Sequence, residues 1–244
     1  MPGAEPISVS VIIPTLNEAG SIGTTLAALA AQRYPGVWEV IVVDGGSEDA
    51  TRQIAAGFEG VQVLVAEAAD TGGQRNLGVS AARHALLVFL DADTLPAPDF
   101  LASVAGHYAR APFAVACPWF IPATRHPGIK LIYLIFNCLF WLSQWRFHTG
   151  AGVSIVTPRS VFEATGGFPM GCRVGEDVAY LQAAARRGPH RHLPIGLMTS
   201  ARRFERQGIL RTLWLYLCIS PHLLAGRFAA LQSVRYEAVR EAAE

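Results

Sequence analysis

Four apolar, β-rich runs constrain this chain more than any other feature. "VSVIIP", "WEVIVVD", "VQVLVA" and "ALLVFLD" alternate with helical patterns over residues 21–32, 48–56, 74–83 and 98–110. Strands apolar on both faces belong in the middle of a parallel sheet covered by helices, so the first 110 residues read as an α/β, Rossmann-like half. In such a sheet ligands gather at the carboxyl ends of the strands. Beyond residue 110 the order loosens. The pattern predicts a strand near 114–120, an apolar helix over 129–145, a glycine-rich loop and strand in "HTGAGVSIVT", and helices over 158–165 and 176–187. There is no internal repeat, low-complexity linker or clear boundary, and 244 residues are expected to form one domain.

Charge narrows the partners. Twenty basic and nineteen acidic residues leave a net +1, which excludes the global basic field of a nucleic-acid binder. Arg202, Arg203, Arg206 and Arg211 make the last third locally basic, which suits a small anion. Cys117, Cys138, Cys172 and Cys218 lack metal-ligand spacing, arguing against a zinc site or a disulfide framework and for a reducing cytosol. "MPGAEPISVSVII" has no basic region ahead of its apolar run and is not expected to be a signal peptide. The 51% apolar content is nevertheless high. "LIYLIFNCLFWLS" and "LWLYLCI" fall short of the roughly 18 apolar residues a spanning helix needs. They fit buried core helices, or amphipathic helices lying on a bilayer with Trp141, Trp145, Arg146, Arg211 and Trp214 at their edges.

The strand ends carry polar residues of particular kinds. "PTLNE" follows the first strand, "DGGSED" the second and "DADT" the fourth. Gly45 and Gly46 permit close backbone approach, and Asp44 offers an acceptor for a base imide or a hydroxyl, so the cleft suits a nucleotide. No GxGxxG or GxxxxGK[ST] is present, and Lys130 is the only lysine, which disfavours dinucleotide oxidoreductases and P-loop NTPases. Asp91 and Asp93, as residues i and i+2 of an extended strand, are expected to point the same way about 6.6 Å apart. Such a pair can share Mg2+ or Mn2+, which takes oxygen ligands and completes its shell with water and phosphate oxygens. An Asp-rich turn ended by Thr94 and Pro96 is the plainer alternative.

These segments together resemble the family 2 glycosyltransferases, enzymes of the GT-A fold. "VSVIIPTLNE", "VIVVDGGSEDAT", "GGQRNLG", "FLDADT" and "GGFPMGCRVGEDVAYL" are similar to the family's strand-loop, DxD, GGF and ED segments over about residues 8–185. The closing "TSARRFERQGILRTLWLY" is similar to a bacterial subgroup associated with radical-SAM and selenium-domain proteins. One departure is Gly45, which stands where "DDGS" is commoner.

The resemblance implies a metal-dependent, inverting hexosyl transfer from a nucleotide-sugar donor, with UDP the expected nucleotide. Residues 1–110 would bind the donor, 111–205 the acceptor, and 206–244 would form C-terminal amphipathic helices. Pro14, Thr15, Asn17 and Glu18 would border the nucleoside, Asp44 the base, Asp91 the ribose or sugar, and Asp93 the metal. Arg75, at a helix start, would meet the diphosphate, unless it is a solvated helix-face arginine. Asp177 would be the base for the acceptor hydroxyl, with Glu176 positioning the acceptor or sharing the task. "EDVAYLQAAARRGP" is also what a plain helix looks like, acids first and arginines last. Arg202 and Arg203 would clamp the diphosphate, or else pair at the surface with Glu205. His148 is a candidate acceptor contact and His192 or His222 a candidate third metal ligand, each against a purely structural role. The acceptor is open between a lipid-linked group, which would bring peripheral contact with the inner face of the cytoplasmic membrane, and a polar metabolite. A nucleotidyltransferase lacks its signature loop here, and a catalytically inactive nucleotide-sugar-binding protein would not need Asp91, Asp93 and Asp177.

Overall fold

The computed structural model describes residues 5–231 except Arg173. Strands β1 (Val9–Thr15), β2 (Trp38–Asp44), β3 (Val61–Val65) and β4 (Leu86–Leu90) pair in parallel in the order β3-β2-β1-β4. The same sheet continues through β7 (Ser154–Pro158), β6 (Val115–Pro122), β8 (His190–Thr199) and the short β5 (Thr94–Leu95). β7 lies antiparallel to both β4 and β6, while β6 and β8 are parallel. The result is the mostly parallel, helix-flanked α/β sheet of the GT-A fold.

Alternation along β1 assigns the two layers. Val9, Val11 and Ile13 face Ile22, Leu26 and Leu29 of α1 (Ala19–Ala30) and Phe100, Leu101 and Val104 of α4 (Phe100–Arg110). Ile12 faces the other way, toward Val79 of α3 (Thr71–Ala81), Phe162 of α6 (Arg159–Thr165), and Tyr180 and Leu181 of α7 (Glu176–Ala185). All of these strand residues are fully buried, as a two-faced sheet requires. Glycine lets α3 lie directly on the sheet: a Cβ on Gly78 would stand 2.4 Å from Ile12 Cγ2. The short α2 (Thr51–Ala56) starts later than the sequence pattern predicts, because Asp49 accepts the Thr51 amide at 2.9 Å and holds 48–50 as a turn.

Asp91 and Asp93 do not sit on an extended strand. β4 ends at Leu90, where its partner β7 also ends its pairing at Ser154. The chain then turns through residues 91–93 so that β5 can join β8 at the far edge of the sheet. The turn is pinned by Thr94 Oγ1 donating to Asp91 O at 2.8 Å and Thr25 Oγ1 donating to Ala92 O at 2.7 Å. The geometry is that of the Asp-rich turn. β8 and β5 escape the periodicity argument: Pro194 and Gly196 interrupt the alternation of β8, and β6 answers with a register shift at Pro118/Trp119.

The apolar helices fit neither pure reading. α5 (Pro127–Ser143) and α9 (Ile209–Leu224) pack on each other through Phe136 and Tyr216, whose rings lie 5.7 Å apart, and on Phe204 of α8 (Arg202–Gln207). Their outer faces remain exposed, with Leu131, Leu134, Leu142 and Trp145 along α5 and its end, and Leu210, Trp214, Leu217 and Leu224 along α9. Spacings of three and eight along α5, and of three, four and seven along α9, each trace one helix face. Among the described residues, no helix is long and apolar enough to cross a membrane. Residues 232–244 of the expected C-terminal helical segment lie outside the described residues.

Candidate active site

At the carboxyl ends of β1 and β2 two loops are laced together. Asn17, at φ 54°, donates its amide to Ser47 Oγ and accepts the Glu48 amide on Oδ1, each at 2.9 Å. Asp44 is fully buried, and its carboxylate accepts the Gly46 and Ser47 amides at 3.0 and 2.8 Å and the Ser47 hydroxyl. Thr15 Oγ1 lies 3.4 Å from it and Arg52 Nε 3.6 Å. The carboxylate therefore shapes the loop that presents Gly46. Pro14 lies buried inside β1, past the last residue that pairs with β4, where the missing N–H removes no bond from that ladder. Gly45 has a steric reason to replace an acid: a Cβ there would meet Gln74 Nε2 at 3.0 Å and Ala69 Cα at 3.2 Å. Gln74, which the sequence reading passed over, donates to Thr15 O at 2.8 Å and Val43 O at 2.7 Å, stapling the two strand ends.

The second cluster joins the two halves of the molecule. Arg75 is 2% exposed, so it is not a solvated helix-face residue. Its guanidinium reaches Asp91 at 3.3 Å, Glu176 at 3.1 Å and Gly152 O at 3.2 Å, and lies 5.1 Å from the Phe168 ring centre. Asp70, at the start of α3, holds the Gly73 amide at 3.2 Å and the Gly171 amide at 3.0 Å, tying the "GGF" loop to this helix. Asn76 does the same from the next turn, bonding the Phe168 amide at 2.9 Å and carbonyl at 2.8 Å. An acid before a helix is a readable cap; the cross-chain contacts of Gln74 and Asn76 have no local signal.

Asp91, Asp93, Glu176 and Asp177 converge here with Arg75 and Arg202. Although 37% of the Asp91 side chain faces the cleft, burial pushes its carboxyl up to about 7 against the pull of Arg75. Burial and the neighbouring Asp177 push Glu176 up to about 7 as well. Asp93 and Asp177 are also raised, chiefly by burial. Asp177 stands at the N-terminus of α7, its Oδ1 accepting the Val178 amide at 2.8 Å. Gly152 presses on it so closely that a Cβ there would be 2.5 Å from Oδ2. The glycine-rich segment is a loop, and β7 begins only at Ser154.

Arg202 reaches from α8 across the cleft. It forks onto both oxygens of Glu18, one at 2.7 Å, and lies 3.4 Å from Asp93 Oδ2. Its partners are thus in the cleft, not at a surface site with Glu205. Arg203 lies near the phenols of Tyr133 and Tyr216, on which its charge acts. The histidines lie apart from this cluster. His192 stacks on Phe140 and bonds Thr149 O at 3.1 Å through Nε2, and His190 packs 4.9 Å from it. His222 is on the last turn of α9. Among the described residues no three His, Cys, Asp or Glu side chains form a preformed metal cage.

The match to known proteins agrees with this layout. The model of "Glycosyl transferase family 2" covers residues 10–168, from β1 to the "GGF" loop. The chain belongs to that family. A validoxylamine A glucosyltransferase of Streptomyces hygroscopicus subsp. limoneus is 36% identical over 142 residues, 53% of this chain and 31% of that protein. A dodecaprenyl-phosphate galacturonate synthase of Rhizobium johnstonii is 30% identical over 123 residues, 47% of this chain and 36% of that one. The chain therefore spans about a third of the length of these relatives. In fold it is similar to glucosyl-3-phosphoglycerate synthase of Mycobacterium tuberculosis, crystallised with Mn2+, UDP and phosphoglyceric acid. That comparison has a TM-score of 0.61 at 18% identity, over 88% of this chain and 78% of the other.

Proposed function

We propose that this chain transfers a sugar, with inversion, from a nucleoside-diphosphate sugar to an acceptor oxygen. UDP is the expected nucleotide. The observation that carries the reading is the meeting of four carboxylates from both halves, Asp91 and Asp93 on one side and Glu176 and Asp177 on the other, around Arg75 and Arg202 at the carboxyl end of the sheet.

A divalent cation fits the donor set. Asp91 and Asp93 are hard oxygen donors held above their ordinary pKa by burial, so a cation relieves an unfavourable concentration of negative charge. Two carboxylates leave room for phosphate oxygens and water, as Mg2+ or Mn2+ prefers. When bound, the metal would neutralise charge on the departing diphosphate.

The rest falls to the chain itself. The β1 and β2 loops, around Thr15, Asn17, Asp44 and Gly46, border the nucleoside. Asp177 takes the acceptor proton while the acceptor oxygen attacks the anomeric carbon and the nucleoside diphosphate leaves with the bonding electrons. Burial raises the Asp177 carboxyl above its ordinary value, which makes it a stronger base than a free carboxylate. Glu176, fixed by Arg75, positions the acceptor. Arg202 is placed to exchange Glu18 and Asp93 for diphosphate oxygens, which match its planar fork. A lipid-linked acceptor is favoured by the exposed faces of α5 and α9, and by the dodecaprenyl phosphate in the Rhizobium relative's name; it brings peripheral membrane contact with it.

The deciding experiment is a thermal-shift screen against UDP-, GDP-, CMP- and dTDP-sugars with and without Mn2+. The expected result is a metal-dependent stabilisation by one nucleotide series, lost in Asp93→Ala and kept in Asp177→Asn, with transfer abolished in both. Stabilisation by no donor from folded protein would overturn the reading.

A further inference from the structure

A second polar cavity lies away from the carboxylate cluster. It measures about 430 Å3 and is walled by Arg146 and His148 after α5, Gln182 and Arg186 at the end of α7, and the end of α9. No carboxylate lines it among the described residues. At the end of α9, Gln182 Nε2 donates to Leu223 O at 3.0 Å, covering one of the carbonyls that face this side. His148 is held at φ 48°, a conformation that is unfavourable for a residue with a side chain, and its Nδ1 is buried without a protein partner. Two guanidiniums, a constrained imidazole and no acid make a setting for a phosphate group.

The walls also carry Phe147 and Leu224, 48% and 41% exposed, which terminate the apolar faces of α5 and α9. α5 carries Lys130 and α9 carries Arg211 as their only charged side chains. The basic pocket thus opens where two apolar stripes end. That is the arrangement of an amphiphile, charged at one end and apolar along its length.

We infer that this pocket seats the phosphate headgroup of an anionic membrane lipid while the outer faces of α5 and α9 rest in the same leaflet. The inference deepens the proposed lipid-facing function and is tested independently of it. The full chain is floated with phosphatidylcholine vesicles, with and without phosphatidylglycerol. Comparison is made among the wild type, R146A/R186A, and R33A/R110A, which removes the same charge from exposed positions elsewhere. Wild type and R33A/R110A are expected to float with the anionic vesicles, and R146A/R186A to partition roughly tenfold or more weakly, as expected for two basic contacts at an anionic surface. Equal loss in both double variants would reduce the effect to net charge and overturn the pocket. Stabilisation by inorganic phosphate without flotation would overturn the lipid assignment in favour of a soluble phosphate. Donor-induced thermal shifts measured on the same proteins separate the two readings. R146A/R186A keeps its donor shift if only the pocket is lost, and flotation with no donor shift in the wild type would sink the transferase reading alone.

Discussion

Arg75 is the residue on which the site turns. Its guanidinium is almost wholly buried and serves two carboxylates that otherwise have poor company. Removing one member of a buried ionic set leaves uncompensated charge and costs about 3 kcal/mol or more. Arg75→Met is therefore expected to destabilise the protein by about that much at pH 8. The sign of the pH effect follows from the raised carboxyls. Asp91 and Glu176 titrate near 7 in the folded protein, above their unfolded values, so below that pH they bind protons and need the cation less. Urea unfolding at pH 8 and pH 5 should show the penalty shrinking on acidification; an equal penalty at both would mean that Arg75 acts through packing on Phe168 alone. Gly152 makes a complementary case. Gly152→Ala places a methyl group against Asp177 Oδ2, so transfer should fall by about a hundredfold, as for a misplaced catalytic group, while the donor-induced thermal shift persists. Lost donor binding would place the damage elsewhere.

At the scale of elements, β8 and α9 behave in opposite ways. β8 buries His190 and His192, and burial lowers their pKa values to about 2 and about 4. Because these lie below the unfolded value, the folded state excludes protons that the unfolded state accepts; the stability is present above about pH 6.5 and is lost as pH falls toward 4. His190 has no hydrogen-bond partner on either ring nitrogen. His190→Leu should thus raise stability by about 1 kcal/mol at pH 7 and by more at pH 5, read by urea titration. A loss at both pH values would show that the ring contributes by shape. On α9, Trp214→Ser and Leu217→Ser remove exposed side chains and should shift stability by less than about 0.5 kcal/mol, while weakening flotation with vesicles. What the sequence makes legible follows the same division. β1 to β4 read clearly because burial on both faces leaves unbroken apolar runs. The outer face of α5 and the packing face beneath it are both apolar, so composition alone cannot separate core from surface. β8 hides behind Pro194 and Gly196, and its pairing with β6 is a contact between segments some seventy-five residues apart, beyond any local pattern. The carboxylates of the candidate site stand out by their spacing after strands. Their partners do not: nothing adjacent to Arg75 in the chain announces Glu176, and nothing near Glu18 announces Arg202.

For the whole molecule, the Arg202–Glu18 fork is the longest reach in the site, linking the loop after the first strand to the helix after the last across 184 positions. The same guanidinium lies 3.4 Å from Asp93, so with no donor bound it competes with any cation for that carboxylate. In the proposed reaction a diphosphate would offer Arg202 a better match and so free Asp93. This coupling has two consequences of opposite sign. Arg202→Met should let Mn2+ bind the donor-free protein several-fold more tightly, because a competing charge has gone. It should also slow transfer by about a hundredfold, because the leaving diphosphate loses a preorganised donor. Calorimetric titration of Mn2+ into the donor-free variant, set beside its rate of transfer, reads both. Weaker metal binding in the variant would mean that Arg202 instead holds Asp93 in its ligating position, and that the cleft is preset by the fork and not released from it.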